Sequence, residues 1–174
     1  MPMIIVTPLS AIEETIRRYK PSHLITLLSP EHMIDTPGGI PADAHLRIGV
    51  HDVRDPADAE KPPVADHVEE LLDFGKSWTG EAPLLVHCFA GISRSMAAAY
   101  ILLNERFGPG HEEAIAKAMR TRAPHAFPNT LLVKYADDRL GRGGAMMRAV
   151  EAMGRGAVVP EGEIVEFPLS LDEL

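Results

Sequence analysis

The chain has 174 residues, 45% of them hydrophobic and 24% charged, which is enough for one domain with a full core and too little for two. A formal charge of -8 argues against nucleic-acid binding and against a polybasic membrane surface, because both need cations facing phosphates. A single cysteine excludes an internal disulfide. No apolar run approaches the roughly 18 residues of a membrane helix, and the first ten residues lack the basic and apolar regions of a signal peptide, so the chain reads as soluble and cytoplasmic.

Residues 3–6 form the first predicted strand. Ser10-Ala11-Ile12-Glu13 has the form of a capping box opening a helix to about Tyr19. Residues 24–28 read as a second strand, residues 30–41 with Gly38 and Gly39 as a loop, and residues 46–50 as a third strand. Residues 51–63 are polar and proline-rich and carry Asp52, Asp55 and Asp58, so they form a surface loop after a strand end. From Val64 the positions Val64, Val68, Leu71, Leu72 and Trp78 share one helical face, and residues 83–86 are a continuous apolar strand.

Residues 96–107 suit a buried central helix ended by Gly108-Pro109-Gly110, and three more helices are expected over 112–122, 130–140 and 145–153. Met146, Met147 and Met153 are read as packing residues. From residue 157 no clear period is visible, so residues 1–156 are expected as the domain and 157–174 as a loosely held extension. Alternating strands and helices predict a three-layer α/β domain, with a central, mostly parallel sheet of four to five strands flanked by helices. In such sheets ligands bind beyond the carboxyl ends of strands, and Cys88 stands at one.

The chemistry concentrates in L-L-V-H-C-F-A-G-I-S-R-S, residues 84–95. Arg94 follows Cys88 by six positions, so Phe89, Ala90, Gly91, Ile92 and Ser93 can curl into a ring with their N–H groups pointing inward. A helix starting near Ser95 aims its positive end at the same centre, and Arg94 adds a planar fork matched to two phosphate oxygens. The ring is therefore read as a phosphate cradle with a sulfur at its base. The thiolate is the nucleophilic form of cysteine, and each hydrogen bond to a charged acceptor contributes roughly 1.5 to 3 kcal/mol. Several such donors, the Ser95 hydroxyl included, are needed together. His87 is expected to orient the loop through backbone bonds, and His45 and His51 to be loop residues, since their spacing matches no zinc site.

H-C-F-A-G-I-S-R-S, residues 87–95, resembles the H-C-x-x-G-x-x-R-S/T signature of the cysteine-dependent protein tyrosine phosphatases, and within them the small, single-domain dual-specificity branch. V-H-D, residues 50–52, resembles the place where that family keeps its general acid, and R-A-P-H-A-F-P-N, residues 122–129, resembles its R-P-x-x-x-P-N segment. The resemblance spans about residues 3–140. It implies a phosphatase-like catalytic domain and a phosphocysteine formed on Cys88. Arg94 and the amides of Phe89 to Arg94 would bind the substrate phosphate, and Ser95 would stabilise the departing thiolate. It implies no metal or organic cofactor, and as substrate a phosphorylated protein, most of all at tyrosine, or a small phosphate monoester. Asp52, 36 positions before Cys88, is the expected acid, with Asp55 and after it Asp58 as the alternatives. A rhodanese-like sulfurtransferase and a phosphate-binding module without turnover are the competing readings. Arg120 and Arg122 are read as helix-end cations.

Overall fold

Parallel strands must be joined by crossovers, and the alternation in the sequence provides them. In the computed structural model, which describes residues 2–174, the strands are β1 (Met3–Pro8), β2 (His23–Leu28), β3 (His45–Gly49), β4 (Leu84–Cys88) and β5 (Val165–Pro168). They form one sheet in the order β3-β2-β4-β1-β5. The first four are parallel, and β5 pairs antiparallel with β1. The sheet is thus mostly parallel and five-stranded, as expected, and β4 lies at its centre.

Both faces are buried, and successive side chains divide between them. Ile5, Leu24 and Leu85 pack with Ile12 on the side of α1 (Ile12–Tyr19). Ile4, Val6, Ile25, Leu27, Leu84, Val86 and Cys88 point to the larger core. That core is covered by α2 (Ala65–Ser77), α3 (Arg94–Phe107), α4 (Glu112–Arg122), α5 (Thr130–Leu140) and α6 (Ala145–Met153). Every residue of α3 from Arg94 to Asn104 is buried; its first turn follows the loop after β4, so the central strand and the central helix hold that loop between them. Among the described residues no helix is long and apolar enough to cross a membrane.

Three local expectations change. Ser10 makes no capping box: its hydroxyl donates to Glu161 Oε2 at 2.9 Å, and α1 follows a single 3-10 turn with no side-chain cap. Val64 and Trp78 flank α2 rather than belong to it. Val64 is exposed, and Trp78 is buried in the core with its indole Nε1 donating to the Ala82 carbonyl. The largest change concerns residues 157–174, which continue the domain instead of trailing from it. Val165 and Phe167 are buried in the sheet, and Pro168 is tolerated because β5 is an edge strand.

Of the two arginines at the end of α4, Arg122 holds this segment, and Arg120 holds the turns that follow α4 and α6. Arg122 donates to the carbonyls of Glu166 (3.2 Å) and Leu174 (3.0 Å), and Arg120 to those of Pro124 (2.8 Å) and Gly154 (2.9 Å).

A buried carboxylate joins the last two helices. Asp137, 3% exposed, accepts from the amides of Gly144 (2.7 Å), Met146 (2.8 Å) and Met147 (3.1 Å) at the start of α6. Asp137→Ala leaves three donors unpaired and is expected to lower the urea-unfolding free energy by about 2 kcal/mol or more. Asp137→Asn, which keeps one acceptor, should recover part of the loss.

Candidate active site

A trans peptide holds its C=O and its following N–H on opposite sides, so an outside donor on a carbonyl aims the next N–H inward. The loop after β4 is built this way. The Cys88 carbonyl accepts from His87 Nδ1 (3.0 Å), and Phe89 O from the Leu9 amide (3.0 Å). Ala90 O accepts from the Gly162 amide (2.7 Å), Ile92 O from Phe127 (2.9 Å) and Ser93 O from Asn129 (3.1 Å). Among the described residues, none of the N–H groups of 89–94 donates to a protein acceptor. Gly91 permits the closure in two ways. Its φ of +70° disfavours any side chain, and a Cβ there would come within 2.7 Å of Pro8 N and 2.9 Å of the Thr7 carbonyl carbon. The loop therefore rests directly on the end of β1.

Cys88 is buried at the base of the ring, with Sγ 3.1 Å from the Ser95 hydroxyl. Arg94, 7% exposed, enters from the first turn of α3. Its Nη1 is held by the Val50 carbonyl (2.9 Å) and Ser29 Oγ (3.3 Å). Its Nε–H is buried without a hydrogen-bond partner among the described residues. A buried charged donor left unpaired is costly unless a ligand completes it. Phe89 turns its ring outward, 56% exposed and 6.0 Å from the His32 ring.

His87 is the innermost member of a line of side chains. Its Nδ1 must donate, because the Cys88 carbonyl can only accept. Burial pushes its pKa down to about 4, against the opposing pull of the Cys88 carbonyl, so the neutral ring accepts at Nε2 from Thr26 Oγ1 (2.8 Å). Thr26 then accepts from His45 Nε2 (2.7 Å), and His45 Nδ1 accepts from Thr36 Oγ1 (2.8 Å). His45, expected in a loop, begins β3, and burial followed by the nearby charge of Arg47 lowers its pKa to about 4.

This line has a pH consequence. An unfolded histidine titrates near 6.5, so between about pH 6.5 and 4 the unfolded chain binds more protons than the folded one. Stability should be level above about pH 6.5 and fall as pH drops, with His87 alone costing about 2 kcal/mol by pH 5. Urea midpoints at pH 7 and pH 5 measure this, and His87→Gln should reduce the difference, leaving the part that His45 contributes.

The aspartates of residues 51–63 separate by position. Asp52 Oδ1 accepts from the Ser93 hydroxyl at 2.6 Å and from Asn129 Nδ2 at 2.9 Å, at the rim of the ring. Asp55 Oδ1 accepts from the Ala57 amide (2.9 Å) and caps its own short turn. Arg54 pins the segment in place. Its guanidinium lies 3.8 Å from the centre of the Phe127 ring and donates to the carbonyls of Phe127 (3.2 Å) and Pro128 (3.3 Å). Asn129 also donates to the Val53 carbonyl (3.0 Å) and caps α5.

Thr26, Ser29, Arg54, Asn129 and Gly162 are the site residues that reading the sequence missed. Only Asn129, at the end of R-A-P-H-A-F-P-N, had a visible signal.

No family model and no curated protein matches the chain, whereas solved structures do. The crystal structure of DUSP15 superposes with a TM-score of 0.65 at 22% identity, covering 90% of this chain and 96% of that one. Human DUSP28 superposes with a TM-score of 0.56 at 25% identity, over 79% and 94% of the two chains. PTPMT1, solved in complex with PI(5)P, gives 0.57 at 16% identity over 84% and 94%.

Proposed function

We propose that this chain, which has the fold of the cysteine-dependent phosphatases of dual-specificity type, hydrolyses phosphate monoesters through a phosphocysteine, with protein phosphotyrosine as its main substrate. The observation that carries this reading is the unpaired, buried Nε–H of Arg94 beside a ring of unspent amides with a thiol at its base. A tetrahedral oxyanion is the ligand that such a set of donors matches.

Cys88 Sγ attacks phosphorus in line as the bond to the leaving oxygen breaks, and Arg94 and the amides of residues 89–94 hold the equatorial oxygens. Asp52 protonates the leaving oxygen. As a carboxylate it then takes a proton from the water that attacks the phosphocysteine, and phosphate leaves. The Ser95 hydroxyl, 3.1 Å from Sγ, donates to the thiolate released in that second step. The nucleophile is the thiolate and works only while its sulfur is unoxidised, which suits a reducing, cytoplasmic setting.

Two features support an aromatic phosphate over a lipid headgroup. Phe89 stands exposed at the mouth with His32 beside it, a surface on which a phenyl ester can stack. Residues 89–93 hold no lysine, and the chain carries a charge of -8, which disfavours a polyanionic headgroup. Turnover of a phosphotyrosyl peptide, a phosphoseryl peptide and vesicle-borne phosphatidylinositol phosphates tests this. The tyrosyl peptide is expected to give the highest kcat/KM; a phosphoinositide exceeding it would overturn the substrate assignment, and no turnover of any monoester would overturn the reading as a whole.

A further inference from the structure

The phosphate loop has six carbonyls, Cys88 to Ser93, and each fixes the N–H of the next residue. Four of the five outside clasps come from the body of the domain: His87, Leu9 at the end of β1, and Phe127 and Asn129 before α5. The fifth comes from the segment that the sequence presents as a tail. The Gly162 amide donates to Ala90 O at 2.7 Å, the shortest of the backbone clasps. The peptide plane it holds carries the Gly91 N–H, next to the most permissive backbone of the ring, where φ is +70°.

Gly162 is buried, and its surroundings leave no room for a side chain. A Cβ there would come within 2.5 Å of His125 Nε2, 2.7 Å of His125 Cδ2 and 3.0 Å of Gly91 O. Its φ is not in the left-handed region, so the backbone would accept alanine; only space requires glycine. The strap around it is tethered on both sides. The Ala157 amide donates to Pro124 O (2.8 Å), Ser10 to Glu161 Oε2 (2.9 Å), and β5 begins three residues later at Val165.

We propose that Gly162 is a positioning residue of the phosphate loop: its N–H and its lack of a side chain together set the Ala90–Gly91 peptide plane and so aim the Gly91 N–H at the substrate phosphate. The proposal rests on the phosphatase reading above. A Cβ at residue 162 pushes against the Gly91 carbonyl and the His125 ring, tilts that plane, and withdraws a donor that holds bound phosphate and holds the charge of the transition state more strongly. Misplacement of a donor by about 1 Å costs on the order of 10- to 100-fold in rate.

The test uses Gly162→Ala in the full chain, read by inorganic phosphate binding in calorimetry, by the rate of Cys88 alkylation with iodoacetate, and by kcat and KM on an aryl phosphate. Phosphate affinity is expected to fall about 5-fold and kcat about 10-fold, with slower alkylation as the loop loses a donor. Adding His125→Ala makes room for the new Cβ and should restore most of the phosphate affinity. Wild-type phosphate affinity in Gly162→Ala, or no recovery on adding His125→Ala, overturns the assignment. If Gly162→Ala does not accumulate folded, Glu161→Ala frees the strap from Ser10 without adding volume. It should weaken phosphate binding about 2-fold, and unchanged affinity there also overturns the assignment. A wild-type chain that binds phosphate yet hydrolyses no monoester would defeat the phosphatase reading and leave the clasp standing. Wild-type hydrolysis with an unaffected Gly162→Ala would defeat the clasp alone.

Discussion

Cys88→Ser is expected to abolish hydrolysis of an aryl phosphate while leaving phosphate and vanadate binding within about 2-fold of wild type. Binding depends on donors that the substitution does not touch: the ring amides are aimed by carbonyl clasps from His87, Leu9, Gly162, Phe127 and Asn129, and Arg94 is anchored by Val50 and Ser29. Turnover depends on a nucleophile available near neutral pH, and a serine hydroxyl with no adjacent base cannot provide one. His87 cannot act as that base, because its Nδ1 is committed to the Cys88 carbonyl and its Nε2 to Thr26. Cys88→Ser should therefore retain a phosphotyrosyl peptide that the wild type releases as product. Residual hydrolysis above about 1% of wild type in this variant would rule out the covalent mechanism.

Asp52→Ala is expected to lower kcat by about 10²- to 10³-fold and to remove the limb of the pH–rate profile on which activity falls as pH rises, since that limb reports loss of the acid's proton. Asp55→Ala should leave kcat within about 2-fold, because its carboxylate bonds within its own short turn and not to the ring. The contrast rests on position: Asp52 is hydrogen-bonded to Ser93 of the ring itself and to Asn129. The loss should also shrink for substrates whose leaving group needs no proton, such as a nitrophenolate, relative to a tyrosyl peptide. If Asp55→Ala removes the limb and Asp52→Ala does not, the two roles are exchanged.

The parts of this site that could be read in the sequence are those written contiguously. Cys88, Gly91, Arg94 and Ser95 lie within eight residues, and one strand, one turn and one helix already bring them together, although the bonds that aim them come from elsewhere in the chain. The helices 112–122, 130–140 and 145–153 were equally plain, because glycine and proline punctuate their ends, and they stand in the structure at those bounds. What escaped depends on partners far away in sequence. Ser10 satisfies a local capping pattern, yet its hydroxyl pairs with Glu161. Thr26 and Thr36 look like ordinary strand and loop residues until β3 brings His45 between them. Strand β5 has only four residues and two inward side chains, too short a period to stand out, and its order depends on Arg122 at the far end of α4.

The line from Thr36 to the Cys88 carbonyl is also a statement about entropy. A row of hydroxyls and imidazoles can ordinarily be threaded by its hydrogens in two opposite senses, as in ice, and it then fluctuates between them. Here the innermost position is a carbonyl, which cannot donate, so one sense is selected at Cys88 and transmitted outward through His87, Thr26 and His45. The peptide that opens the loop after β4 therefore rests on a proton-ordered scaffold with a single arrangement, and that degeneracy is already removed in the folded chain.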